Sequence, residues 1–197
     1  AYVVEDLTRA GDHIVSANTI YGGTYNYFEH TLKSHDVDCT FIDPTQPDAI
    51  GNFEKAIRDN TKMVYIETIG NPNANLIDVE ALAEMCHSHG VPLVVDNTFA
   101  TPYNTNPLDL GVDVVIHSLT KYIGGHGDLL GGAVISNDTE FLRRCPGCIA
   151  VRWSPDFCDI LPTDGGKPNG LRHTLAHLGL TRAGILEKHV KSRQNAA

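Results

Sequence analysis

Lys121 and Asp96 are the two side chains in this sequence best placed to do chemistry, because each closes a short apolar run. The run Val112 to Ile116, mostly β-branched, gives way to Ser118 and Thr120, then to Lys121, Tyr122 and a Gly-Gly-His-Gly loop. Such a run is the pattern of a strand buried on both faces of a parallel sheet. Open α/β sheets place their ligands at the carboxyl ends of those strands. A lysine at that edge has two readings. It is a solvated loop lysine, or it is an amine able to form a Schiff base, which needs partial desolvation and nearby hydroxyl and phosphate partners.

The second run, Val91 to Val95, ends in Asp96. A carboxylate at the end of a buried strand is costly unless it meets a cation. A protonated pyridine nitrogen is such a cation, and in enzymes using pyridoxal phosphate the acid keeps the ring an electron sink. The spacing between Asp96 and Lys121 accommodates one strand–connection–strand unit. Both groups then lie at one sheet edge, at opposite ends of a single ring.

Four motifs occur in order: Tyr21-Gly22-Gly23-Thr24, Glu67-Thr68-x-x-Asn71-Pro72, Asp96-Asn97-Thr98 and Ser118-x-Thr120-Lys121-Tyr122. Together they resemble the pyridoxal-phosphate enzymes of cysteine and methionine metabolism, over about Ala1 to Arg143. The resemblance implies pyridoxal 5'-phosphate as cofactor and Lys121 as the lysine that carries it. It also implies that Asp96 faces the pyridine nitrogen. Tyr21 would stack on the ring and act in proton transfer, and Asn71 would hydrogen-bond the phenolic oxygen. Ser118 and Thr120 would face the phosphate, and Thr98 is a further cofactor contact. On the residues alone, Tyr21 reads as a surface-turn tyrosine and the Ser118/Thr120 pair as structural. Asn71 precedes Pro72, which restricts it to extended backbone and aims its amide at the sheet edge. Glu67, ending its strand, orients neighbours. His126 and the other histidines receive no role, and no metal is expected.

The implied chemistry acts at the γ-carbon of a small sulfur amino acid or an O-acylhomoserine. Lys121 takes the α-proton and Tyr21 protonates the leaving group. The motifs divide between outcomes. Tyr-Gly-Gly-Thr resembles cystathionine γ-lyases and O-acetylhomoserine sulfhydrylases, whereas methionine γ-lyases usually carry cysteine at the place of Gly23. Ile69-Gly70-Asn71-Pro72 is closer to the sulfhydrylases, and Gly125-His126-Gly127-Asp128 to the lyases. The reading leans to a γ-lyase that yields a 2-oxo acid, ammonia and a thiol. The alternative is a transferase of the O-acetylhomoserine sulfhydrylase or cystathionine γ-synthase type. An aminotransferase and an inactive truncated fragment stand as further classes.

These groups need a scaffold, and the apolar pattern supplies one. Strands are predicted at 13–16, 39–42, 63–67, 93–96, 112–116 and 133–136. Helices are predicted at 1–10, 21–33, 50–57 and 79–89, with another beginning at 140–144. Alternation at this spacing predicts an α/β fold of three layers, a mostly parallel sheet with helices on both faces. The resemblance makes this the large domain of a fold-type I pyridoxal-phosphate enzyme, over 1–144 and lacking its N-terminal part. Residues 145–197 match poorly and read as loop, then as helix from Leu171 to His189, with a sequence that suggests a shifted reading frame. The chain begins inside a helix without methionine, and the family's N-terminal arm and C-terminal domain are expected to lie outside it. Alone, it is not expected to be a competent enzyme.

Composition narrows the partners. The 197 residues are 42% hydrophobic, enough for one proper core, and the net charge of −9 argues against nucleic acid. No apolar stretch approaches membrane-spanning length and no export signal is present, so membrane association is not expected. Five cysteines, Cys39, Cys86, Cys145, Cys148 and Cys158, include one C-x-x-C but no second pair to complete a zinc site. They read as reduced thiols of a cytoplasmic protein. The resemblance adds a homo-oligomer, a tetramer built of dimers.

Overall fold

The apolar runs become strands because their β-branched side chains are buried on both sides. The computed structural model describes residues 1–138, 140 and 141, and the backbone of strands at 148–154 and 157–162. Six strands form the main sheet: β1 (His13–Ala17), β2 (Asp38–Ile42), β3 (Thr61–Glu67), β4 (Leu93–Asp96), β5 (Val114–Ser118) and β6 (Gly132–Ser136). Their order is β2-β1-β3-β4-β5-β6. The first five are parallel and β6 returns antiparallel to β5. Ile14, Val64, Leu93 and Val94 are fully buried, as strands covered on both faces require.

Both faces carry helices, as the alternation predicts. Helix α1 (Tyr2–Leu7) and helix α2 (Gly22–Asn26), which continues as a π-helical turn (Tyr27–Leu32), lie over the face of Tyr65, Asp96 and Ile116. Phe28 of the π turn packs edge-on against Tyr65, with ring centroids 5.0 Å apart. The opposite face bears α3 (Ala49–Ala56), α4 (Val79–Ser88) and a 3-10 turn (Pro107–Leu110) packed beside Val115. Right-handed crossovers that move left from β1 to β2 and right from β2 to β3 and from β3 to β4 produce this division. Helix α4 shows the local logic. Asp78 accepts the Ala81 N–H at 3.0 Å as its cap. Val79, Leu82, Ala83 and Cys86 then recur at helical spacing and are buried. Gly90, at φ 67°, ends the turn that follows.

Three expectations are corrected. The predicted helix 21–33 is a short α-helix followed by the π turn. The strand predicted at 112–116 runs from 114 to 118 instead. Val112 and Asp113 are used before it begins: the Val112 N–H donates to Pro107 O at 3.2 Å, and the Asp113 carboxylate accepts the Leu93 N–H at 2.8 Å. The shift carries Ser118 to the last strand position and leaves Lys121 in the turn after it. Finally, the region read as loop contains a hairpin, β7 (Cys148–Ser154) with β8 (Phe157–Pro162). The helix expected over 171–189 lies outside the described residues.

At the other end of the strands, His13 is fully buried in β1. Its ring bridges Thr61 Oγ1 at 2.8 Å and Thr40 Oγ1 at 2.9 Å, tying β1 to β3 and β2. A neutral ring offers one donor and one acceptor, and two hydroxyls satisfy both. Burial, aided by the Arg58 charge, lowers its pKa to about 4. The unfolded chain therefore binds a proton here that the fold does not, so this group's contribution is full above about pH 6.5 and is lost as pH falls toward 4. Replacing His13 by Gln should flatten the fall in urea midpoint between pH 6.5 and 4. Parallel curves for the two proteins would refute this account.

Candidate active site

The carboxyl ends of β3, β4 and β5 meet at one edge, where Glu67 is the register partner of Asp96, and Asp96 of Ile116. Beyond that edge the chain encloses a cleft of about 590 Å³. All seven residues singled out from the sequence line it: Tyr21, Asn71, Asp96, Thr98, Ser118, Thr120 and Lys121. They arrive from four separate segments. Glu67, Phe99 and Tyr122 complete the walls.

Asp96 ends β4 half-buried. Its Oδ1 accepts the Thr98 N–H at 2.9 Å, and its Oδ2 lies 3.5 Å from the Tyr65 hydroxyl. Among the described residues it has no ion-pair partner. A half-buried carboxylate with one amide donor and no protein cation leaves room for a positive group from a ligand. Thr98 then ties β4 to β5, since its hydroxyl accepts the Ser118 N–H at 2.8 Å. Behind it, Thr68 donates to Asn97 Oδ1 at 2.9 Å, and Asn97 Nδ2 donates to Thr105 O at 3.1 Å.

Lys121 lies in a tight turn fixed by its own backbone. Its N–H donates to Ser118 O at 3.2 Å, and Gly124 N–H donates to Leu119 O at 2.8 Å. Gly124 is required there, because a Cβ would stand 2.5 Å from Leu119 O. Lys121 itself is exposed, so the partial desolvation expected for a reactive amine is not present in the described residues. The two hydroxyls beside it differ. Thr120 Oγ1 accepts the Gly131 N–H at 2.9 Å and donates to Gly131 O at 3.3 Å. The Ser118 hydroxyl makes no hydrogen bond among the described residues and is the freer of the two.

Tyr21 precedes α2 with its ring 57% exposed at the mouth. The ring lies over Gly23, where a Cβ would approach its Cε1 to 2.5 Å. Its backbone N–H donates to Glu67 Oε1 at 2.7 Å. Asn71 follows from β3, and its peptide bond to Pro72 is cis. Glu67 is buried, and burial raises its carboxyl pKa to about 7 against the pull of the Tyr21 amide, with Asp96 raising it further.

Sequence reasoning missed three groups. Tyr65 was legible, since alternation along β3 puts it on the Glu67 face, next to the strand of Asp96. Tyr122 stands in the quoted motif without a role, and its ring centroid is 6.1 Å from that of Phe99. Phe99 carries no sequence signal. His117 is buried too, but it faces the other side of the sheet, beside Asn97 and Val115. A larger cavity of about 800 Å³ lies at the opposite ends of the strands, between Asp6, Arg58 and Lys62. Its cations are engaged, Arg58 with Asp38 and Lys62 with Asp12, each at 3.7 Å.

An amine, a carboxylate lacking a cation, an unbonded hydroxyl and exposed aromatic rings suit pyridoxal phosphate, whose aldehyde, pyridinium nitrogen, phosphate and flat ring are their complements. Comparison with known proteins agrees with that chemistry. The chain is 47% identical over 194 residues to an L-methionine gamma-lyase of Treponema denticola, covering 97% of this chain and 45% of that protein. It is 43% identical over 130 residues to an O-acetyl-L-homoserine sulfhydrylase of Leptospira meyeri, covering 66% of this chain and 29% of that one. The chain thus spans less than half the length of these relatives. A solved cystathionine gamma-lyase from Lactobacillus plantarum, in complex with L-serine, superposes with a TM-score of 0.64 at 41% identity. That superposition covers 68% of this chain and 34% of the solved one. Residues 1–150 match the family described as Cys/Met metabolism PLP-dependent enzyme, and the chain belongs to it.

Proposed function

We propose that this chain forms the pyridoxal-phosphate site of an enzyme that acts at the γ-carbon of a sulfur amino acid, as a γ-lyase. The observation that carries the reading is the convergence of Lys121 and Ser118, Asp96, and Tyr21 from three strand ends on one cleft. Pyridoxal phosphate, when bound, supplies the electron sink that stabilises negative charge beside the substrate's amino carbon. Lys121 holds the cofactor and then serves as the base that moves the α-proton. Asp96 supplies the negative charge that keeps a protonated nitrogen in place, with Thr98 orienting its carboxylate. Tyr21, exposed at the mouth, presents a ring for stacking and a hydroxyl able to protonate a departing thiol. Ser118, together with the backbone of the turn that carries Lys121, suits the phosphate. Thr120 mainly pins that turn to Gly131. Asn71 offers its amide to the cofactor's phenolic oxygen.

Replacement by an incoming thiol is the second reading, favoured by the Leptospira relative's name. The glycine of Ile69-Gly70-Asn71-Pro72, which points the same way in the sequence, has a structural cause. A Cβ at Gly70 would collide with Asn75 Oδ1 and stand 2.9 Å from Thr19 Oγ1. Its presence therefore says little about substrate. Assays of cystathionine, methionine and O-acetylhomoserine on the protein that contains this chain separate elimination from replacement.

A homo-oligomer in the cytoplasm completes the proposal. Tyr103, Tyr122 and Leu130 are exposed apolar side chains that suit a covered surface. Cys39 and Cys86 are free thiols raised to about 12 by burial. No helix among the described residues is long and apolar enough to cross a membrane.

Borohydride reduction in the presence of pyridoxal phosphate, followed by peptide mapping, should leave the pyridoxyl group on Lys121. A label on Lys62 or Lys167 instead would overturn the assignment. Asp96→Asn keeps the shape of the side chain but removes its charge. It should weaken cofactor binding about ten- to a hundredfold, read from the visible absorbance of the bound form, because the pyridinium loses its counter-charge. Unchanged affinity would remove Asp96 from that role.

A further inference from the structure

Glu67 poses a question that the reading above leaves open. It is only 8% exposed, it abuts Asp96 across the β3–β4 register, and no cation pairs with it among the described residues. A buried carboxylate beside a second carboxylate is unfavourable on both counts. Its compensation is the Tyr21 N–H at 2.7 Å, with a lesser contribution from the Asn71 N–H, which also donates to Thr19 O at 3.2 Å. Neither amide belongs to a helix or strand interior. Tyr21 stands in extended backbone, φ −50° and ψ 131°, ahead of α2, and Asn71 follows β3 in the loop that leads to α4.

We propose that Glu67 is a positioning residue whose carboxylate ties the Tyr21 turn and the Asn71 loop to the end of β3, and so sets two cofactor-facing side chains against each other across the cleft. The inference rests on the pyridoxal-phosphate reading of the site, but the tie itself is a property of the chain alone. One carboxylate accepts from both segments at a point fixed by the sheet, and the Asn71 N–H to Thr19 O bond of 3.2 Å links the same two segments beside it. A neutral carboxylic acid turns one acceptor oxygen into a donor and cannot serve both amides equally. The titratable groups that face Glu67 are Asp96 on β4, Tyr65 on its own strand, Tyr21 ahead of α2, and Lys121 and Tyr122 beyond β5. Asp96 opposes the charged form and the two amides favour it. With the carboxyl near pH 7, the tie is complete above that pH and loosens below it.

Two measurements on the protein that contains this chain test this. In amide-resolved NMR, the Tyr21 and Asn71 protons should shift together, with one midpoint at about pH 7, and Glu67→Gln should abolish both responses. In titrations with pyridoxal phosphate followed by visible absorbance, Glu67→Ala should bind about tenfold more weakly, and Glu67→Gln, which keeps one acceptor oxygen, should recover part of the loss. If Glu67→Ala fails to fold, as far-ultraviolet circular dichroism would show, the Gln variant carries the comparison through its size and single acceptor. Amides that do not titrate, or that titrate equally in Glu67→Gln, overturn the tie. Amides that titrate as expected alongside unchanged cofactor affinity in both variants overturn its positioning role. A wild-type protein that takes up no pyridoxal phosphate instead overturns the reading of the site, while the NMR result still decides whether the tie exists.

Discussion

Two carboxylates end neighbouring buried strands, and much of the site follows from how each is accommodated. Glu67 and Asp96 are paired in register, so neither can turn away from the other without leaving the sheet edge. Glu67 is satisfied internally, by amides drawn from the turns on either side. Asp96 takes only the Thr98 amide and a distant Tyr65 hydroxyl, and keeps its remaining charge for the cleft. The first carboxylate therefore shapes the walls and the second supplies charge to whatever lies between them. A pair of acids that would be a defect in a closed core becomes a division of labour at the open end of a parallel sheet.

The same edge explains why separate short motifs act as one site. Asp96 ends a strand and Tyr21, Asn71 and Lys121 each follow one within a few residues, and the strands are held in register by their ladders. The loops need little rigidity of their own. Their starting points are fixed by the sheet, and single hydrogen bonds such as Thr98 to Ser118 and Thr120 to Gly131 set the rest.

Strand existence and order of elements were legible because burial on both faces leaves an uninterrupted apolar run, which polar loops punctuate clearly. Asp96 and Lys121 were legible from the residues alone, as charges placed where an apolar run stops. Tyr21, Asn71, Thr98, Ser118 and Thr120 were instead drawn from the resemblance, because a turn tyrosine or a strand-end hydroxyl pair carries no such signal by itself. What escaped depends on three-dimensional neighbours. The displacement of β5 to 114–118 arises because Asp113 is recruited by the Leu93 amide, a contact 20 residues away in sequence. Phe99 enters the cleft through a turn whose direction has no periodicity to betray it. The hairpin at 148–162 was passed over because the wider stretch 145–170 is rich in Pro, Gly and Asp, which masks the two short apolar runs within it. The exposure of Lys121 was equally out of reach, since solvation depends on every segment that approaches the turn.

The antiparallel return of β6 has a consequence for the lysine. In a strand–helix–strand unit the segment after a strand is clamped beneath a packed helix. Here the turn bearing Lys121 is instead slung between β5 and an edge strand, pinned at Thr120 and Gly131. Edge strands open at lower free energy than the centre of a sheet, in local excursions that leave the core intact. Lys121 is thus coupled to a border strand of the main sheet, and Asp96 to its interior. Amide exchange would register that asymmetry as fast protons around Gly131 and slow ones at Val94 and Val95. One end of the cleft is built to hold still, and the other to yield.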